Sequence, residues 1–323
     1  MAVLGGASWR WTQMWLDQPG THTTQIIADL PKGTSLDGIA VRLQAAGVIE
    51  RAALFRTAAI LSGQARRLKA GEYAFPPGAS MRQVLAKIAS GDILLHRISI
   101  AEGLSTLEVL VQITNAEALR GELAAIPVEG SLLPETYLFP RGESRAALVG
   151  RMQGAQTALL DRIWKQRSEN NPLKSPQEAV ILASIVEKET GIASERPLIA
   201  GVFFNRLRIG MALQSDPTVV YARDQGAPNS KPLSRKDLAI DSPYNTYKYP
   251  GLPPAPIANP GKAALMSVLH PQTTEALYFV SDGSGGHTFS SSLEEHNKNV
   301  AKLRAREQRQ KLETQKENKS PDE

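Results

Sequence analysis

The 323-residue chain has no cysteine, which excludes a disulfide frame and a thiolate metal site and leaves the redox compartment unmarked. Aromatic residues are scarce, at 6%. The basic residues are scattered rather than interleaved with them, so a nucleic-acid surface is not expected despite a formal charge of +5. The opening MAVLGGASWRWTQMW has only a brief apolar start, far short of the roughly 20 residues that a spanning helix needs. What the chain does have is 42% hydrophobic content, enough over this length for about two domains with real cores.

The most strongly marked stretch is SPQEAVILASIVEKETGIASERPLIAGVFFNRLRIGMALQSDPTVVY, residues 175–221. Ser175 reads as an N-cap, Pro176 fits the first helical position, Glu178 completes a capping box and Gly191 suits a left-handed stop. At about 100° per residue, Ala179, Leu182, Ala183 and Val186 share one face, which the pattern makes the buried one. Glu189 lies roughly 60° from Val186 on the side of Leu182, while Glu187 lies roughly 100° away on the other flank. Glu189 is therefore presented from the apolar stripe, where partial desolvation raises its proton affinity towards that of a general acid. Glu187 reads as a flank residue, and the plainer reading of both is as charges near a helix end.

A second helix follows at once, with Ser194 as cap, Pro197 in its first turn, an apolar set of Leu198, Ile199, Val202, Phe203 and Leu207, and Gly210 as stop. The corner brings Asn205 and Arg206, then a loop of Gln214, Ser215, Asp216, Pro217, Thr218 and Tyr221, within reach of Glu189. Amide, guanidinium and aromatic groups beside one acid suit a sugar polymer.

Upstream, QIIADL reads as a strand leading through Gly33-Thr34-Ser35 into a helix with Leu36, Ile39, Ala40 and Leu43 on one side, ended by Gly47. Gly78-Ala79-Ser80 and Gly103-Leu104-Ser105 open two more helices, and turn and cap chemistry alone accounts for the recurrence. A further helix at about 51–62 and a strand from Glu72 to Phe75 give the first unit the order strand, helix, helix, strand. Residues 126–143, with three prolines and two glycines, read as an ordered connection, and a long amphipathic helix from about Ser144 to Ser168 leads on to the corner. Beyond Tyr221 the chain to residue 262 is rich in Pro, Asn and Tyr. There Tyr244, Asn245, Thr246 and Tyr247 suit stacking on pyranose faces and bonding to hydroxyls, with bonding inside a compact loop as the other reading. LYFVS and HTFS around DGSGG predict a hairpin. His287 and His296 are the one close histidine pair, and with no cooperating motif no metal site is assigned. From about Arg304 the chain is polar and reads as a frayed tail.

The run ASIVEKETGIASERPLIAGVFFNRLRIGMALQSDPTVVYA, with LSRKDLAIDSPYNTYKYPGLPPAPIANPG at 233–261 and ALYFVSDGSGGHTFSSSLEEHNK at 276–298, resembles the endolytic murein transglycosylase family, the YceG-like proteins of bacteria. The likeness extends over nearly all of the chain from about residue 25. In that family the glutamate of the Lys-Glu-Thr step is catalytic, and it falls on Glu189, the residue the helical wheel reaches independently. The strand, helix, helix, strand unit is similar to a LysM module, which implies a tether for N-acetylglucosamine-containing glycan. The family's pattern of Glu-Gly, an aromatic, then Pro-Asp-Thr-Tyr is matched except at Leu133 and Glu135, which makes Glu129, Glu135 and Tyr137 candidates for lining the cleft.

The expected fold is α+β, a small LysM-like βααβ module at 24–95 followed by a mixed α/β catalytic domain at 144–303. Residues 96–143 connect the two, 1–23 are membrane-proximal and 304–323 form the tail. The resemblance implies non-hydrolytic cleavage between N-acetylmuramic acid and N-acetylglucosamine inside peptidoglycan strands, leaving 1,6-anhydro ends and terminating nascent glycan, with no cofactor. Most glycosidases use two carboxylates, but Glu187 and Glu189 project roughly 160° apart and cannot be such a pair. Sugar contacts are expected from Asn205, Arg206, Gln214, Ser215, Asp216, Tyr221, Tyr244, Asn245 and Tyr247. The implied partners are glycan strands and a peptidoglycan synthase, and the implied location is a single-pass inner-membrane anchor with the catalytic part in the periplasm. Trp9, Trp11 and Trp15 around Arg10 resemble an interfacial belt, and most of the anchor is expected upstream of Met1. The rival readings are a hydrolytic muramidase and a non-catalytic glycan-binding scaffold.

Overall fold

A computed structural model describes residues 13–229 and 231–317. Trp9, Arg10, Trp11 and the expected anchor remnant around them lie outside the described residues, whereas Trp15 packs against an apolar core. The described chain is α+β, with three two-stranded antiparallel sheets. It forms two compact units, one of residues up to 98 with 117–120 and 137–144, the other of 99–116, 121–136 and 145 onward.

In the first unit β1 (Ile26–Leu30) pairs antiparallel with β2 (Gly71–Phe75), Ile26 opposite Phe75 and Leu30 opposite Gly71. Helices α1 (Leu36–Ala45) and α2 (Ala52–Leu61) lie between these strands in sequence, which is the order the pattern predicts. Helix α3 (Met81–Ser90) starts on a reciprocal capping box of Ser80 and Gln83 and stops at Gly91, whose φ of 77° is open to glycine at no steric cost. Strand β3 (Leu95–Ser99) pairs with β4 (Thr136–Pro140). Leu30, Leu43, Phe55, Tyr73, Phe75, Leu85 and Ile88 fill the core. Glu72, buried beside it, is bonded by His96 Nε2 and by Arg141 Nε at 2.6 Å, so the charge is paired.

The second unit holds α4 (Thr106–Asn115), α5 (Arg145–Trp164), α6 (Pro176–Glu189), α7 (Arg196–Arg208), α8 (Asp216–Asp224), α9 (Lys262–Leu269), the hairpin β5 (Tyr278–Ser281) and β6 (His287–Ser290), and α10 (Leu293–Glu317). Helix α9 packs on both α6 and α7. Helix α7 also runs close to the chain before β5: a Cβ on Gly201 would stand 2.3 Å from Gln272 O, so only glycine fits there. Phe203 meets Phe279 edge to face, with centroids 5.9 Å apart.

Five local expectations are corrected. Helix α6 is buried from Ala179 through Glu187 without a break, not on one face, because AVILASIV is apolar or small all round and α5, α7, α8 and α9 pack against it. Glu178 bonds Lys174 N at 2.7 Å rather than the backbone of Ser175, and α6 ends on Thr190 in extended conformation, with no left-handed turn at Gly191. The cap position of α7 is Glu195, not Ser194. The expected tail is helical to Glu317, since its Ala, Glu, Lys, Arg and Gln are strong helix formers and Glu294 pairs with Lys298 one turn on.

Candidate active site

Helix α6 delivers Glu189 at its last turn, half-buried, next to the start of α8. The expected loop 214–221 is in fact a short approach followed by this helix. Pro217 occupies its first turn, where a missing N–H costs nothing, and Ser215 is its N-cap. An N-cap serine normally gives its hydroxyl to the helix amides. Ser215 makes no such bond and donates from Oγ to Glu189 Oε1 instead.

The approach to Ser215 is held tightly by one threonine. Gln214 N donates to Thr246 O at 3.1 Å, Ser215 N donates to Thr246 Oγ1 at 3.0 Å, and Thr218 Oγ1 lies 2.8 Å from the same hydroxyl. Gln214 itself has φ of 52°, a left-handed conformation that costs a non-glycine residue on the order of 1 kcal/mol, and its side chain is exposed. Asp216, also exposed, accepts from Tyr247 Oη at 2.6 Å. Tyr221 packs on Tyr244 with ring centroids 4.9 Å apart and donates to Glu129 Oε2 at 3.3 Å.

Burial pushes the Glu189 carboxyl up to about 7; the Ser215 hydrogen bond opposes this, the Asp216 charge adds to it, and His287 and Arg206 pull it back down. An acid so placed is still partly protonated at neutral pH, which a proton donor to a leaving oxygen requires. Arg206 makes no ion pair with Glu189. It is buried and donates to Leu277 O at 2.6 Å, Leu213 O at 2.5 Å and Ala212 O at 3.3 Å, clamping the segment before Gln214 to the hairpin.

Glu187 turns away from Glu189. It is the more buried of the two, accepts from Arg196 Nη2 at 2.7 Å and from Gly261 N at 2.9 Å, and is no flank residue. Burial raises its carboxyl as well, with the Gly261 amide and Arg196 opposing. Glu129 is another protected acid, bonded by Thr106 N at 2.7 Å, Thr106 Oγ1 at 2.9 Å, Asn259 Nδ2 at 3.2 Å and Tyr221, and it too is raised by burial. Glu135 is exposed, and Tyr137 is buried in the first unit.

The two asparagines are spent on the fold. Asn205 Nδ2 donates to Thr274 O and Ala276 O, and the residue lines a groove of about 880 Å³ that does not include Glu189. Asn245 is fully buried, its amide bonding Leu238 O and Ile240 O and its carbonyl accepting from Tyr247 N. A smaller cavity of about 100 Å³ lies beside the acid's helix, lined by Lys188, Pro217 and Tyr221 among others. The sequence reading missed two neighbours of the acid: His287, weighed only as a metal ligand, and Glu195, which receives it. Their one sequence signal was a histidine straight after a glycine turn, which names no partner.

Residues 28–302 match the YceG-like family. The chain is 31% identical over 306 residues to an endolytic murein transglycosylase of Bacillus subtilis (strain 168), covering 85% of this chain and 84% of that one. It is 29% identical to a protein of the same name from Streptococcus pneumoniae, of whose length it spans 58%. A crystal structure of a YceG-like protein from Listeria monocytogenes superposes with a TM-score of 0.54 at 30% identity, covering 85% of this chain and 98% of that one.

Proposed function

Since the chain belongs to the YceG-like family, we propose that it is an endolytic lytic transglycosylase acting on peptidoglycan, with Glu189 as its only acid and base. The observation that carries this reading is a carboxyl raised to about 7 at the end of a rigid helix, with Ser215 fixing its direction. Glu187 is unavailable as a second carboxylate because Arg196 and Gly261 hold it elsewhere.

Glu189 donates its proton to the glycosidic oxygen as the bond to the anomeric carbon of N-acetylmuramic acid breaks. The resulting carboxylate takes the proton of the muramoyl 6-hydroxyl, whose oxygen closes on that carbon. One bond is lost, one is formed, no water is consumed and the acid is regenerated. Ser215 and the positive charge of Arg206 favour the carboxylate formed midway. Gln214, Asp216, Tyr221, Tyr244 and Tyr247 present the polar and aromatic surface for the sugars. The first unit serves as a glycan tether of LysM type. Such a reaction within strands stops glycan elongation and places the protein at the periplasmic side of the inner membrane beside a synthase; among the described residues no helix is long and apolar enough to cross a membrane.

Mass analysis of peptidoglycan digested by the purified protein tests the reading. It expects internal cleavage with anhydro ends, lost in Glu189→Gln. Reducing ends carrying one added water would show a hydrolase, and intact strands that still bind would show a scaffold.

A further inference from the structure

Glu195 stands at the cap position of α7 but caps no helix amide. Its carboxylate takes His287 N at 2.8 Å on Oε1, with His287 Nδ1 at 2.7 Å and Thr190 Oγ1 at 3.0 Å both on Oε2. Thr190 is the residue straight after Glu189, and its hydroxyl also accepts from Ile192 N at 3.0 Å. One carboxylate thus ties the chain leaving the acid to the first residue of β6, although Glu195 and His287 are 92 residues apart in sequence. Phe279 holds the imidazole edge to face at 5.5 Å.

We propose that Glu195 and His287 are positioning residues for Glu189: Glu195 fixes the end of the acid's helix through Thr190 and orients the imidazole through Nδ1, and the imidazole, when protonated, acts on the acid. This rests on Glu189 being the acid of the reaction. The charged and titratable groups facing Glu189 are Arg206 from α7, Asp216 from α8, Tyr247 from the chain after α8, and His287 from β6. Arg206 is bound to three carbonyl groups, so removing it would unlace the loop. His287 is the group whose imidazole can be replaced while an amide keeps the bond to Glu195. A protonated imidazole favours the carboxylate form of Glu189, so its loss makes the acid hold its proton to higher pH.

The test is a carboxyl-carbon NMR titration of Glu189 together with pH–rate profiles on glycan strands, using the full chain as wild type, His287→Gln and Glu195→Gln. His287→Gln is expected to move the Glu189 titration and the alkaline limb of kcat up together by roughly half to one pH unit, with KM within about twofold and an unchanged melting curve. Glu195→Gln is expected to lower kcat about tenfold at constant KM by loosening the acid's placement. An unmoved Glu189 titration in folded His287→Gln overturns the proposal, as does an activity loss in both variants that only follows the folded fraction. Should His287→Gln fail to fold, His287→Asn carries the same measurement. A titration that moves in a wild-type background that cleaves no glycan keeps the positioning role and sinks the function.

Discussion

Ser215 begins helix α8 with its backbone and gives its hydroxyl to Glu189. The side chain is turned to the acid and accepts no helix amide, so it adds no capping bond to α8. Ser215→Ala is therefore expected to cost only about 1 kcal/mol in stability, while kcat falls about tenfold. Because that bond holds the Glu189 carboxyl down, its loss also moves the alkaline limb of the rate profile to higher pH. A profile that falls without moving would mean the bond does not reach the acid.

Glu189→Gln is expected to fold, bind glycan and lose cleavage by about two to four orders of magnitude. The same variant predicts a stability signature. The Glu189 carboxyl stands at about 7 against an ordinary 4.5, so between those values the folded protein keeps a proton that the unfolded chain releases. The contribution is full below about 4.5 and is lost as pH rises through about 7, on the order of 3 kcal/mol in all. Melting curves of variant and wild type should separate across that window, the wild type falling behind. Parallel curves from pH 4 to 8 would contradict the raised carboxyl.

Glu187→Gln should show the opposite balance. It leaves the buried Arg196 with Glu102 at 3.7 Å as its remaining partner, and breaking a buried pair from one side costs roughly 3–5 kcal/mol. The expected result is a clearly lower melting temperature with kcat per folded molecule nearly unchanged, read by thermal melts beside turnover at low temperature. A fall in kcat as deep as that of Glu189→Gln would return Glu187 to the chemistry.

Asp216→Asn tests the acid's environment from the other side. The Asp216 charge helps to raise Glu189, so removing it should move the alkaline limb to lower pH, opposite in sign to Ser215→Ala. The residue is exposed and in the first turn of α8, so the loss in stability should stay below about 1 kcal/mol. If the variant unfolds while surviving molecules cleave normally, Asp216 belongs to the fold.

What the sequence displayed was its short-range grammar. Ser80 with Gln83 and Ser105 with Glu108 are capping boxes, and the β1, α1, α2, β2 order followed from period and turns alone. That Glu189 closes α6 was legible from the Ser175 cap and the apolar run that follows it. Its partners divided by distance along the chain. Asp216 and Ser215 could be named from nearness to the corner, though the expected loop there is a helix start, which Pro217 in its first turn marks. His287 could not be named, because the strand that carries it reaches the acid only through tertiary packing. Glu187 was misjudged because a helical wheel assumes one buried face, and α6 has none to spare. Asn205 and Asn245 looked like sugar-binding amides, but an amide facing free backbone carbonyls is used by them first.

The enclosure of α6 on every side has one more consequence. Its amides are shielded by neighbours from four helices and can exchange with solvent only when the whole unit opens, so Glu189 is mounted on the part of the molecule that should let go last. The exposed residues 248–250 can move as a polymer is threaded while the proton donor stays still. Heating should then abolish activity in the same narrow interval in which the second unit melts, with no earlier phase of a folded but inactive protein.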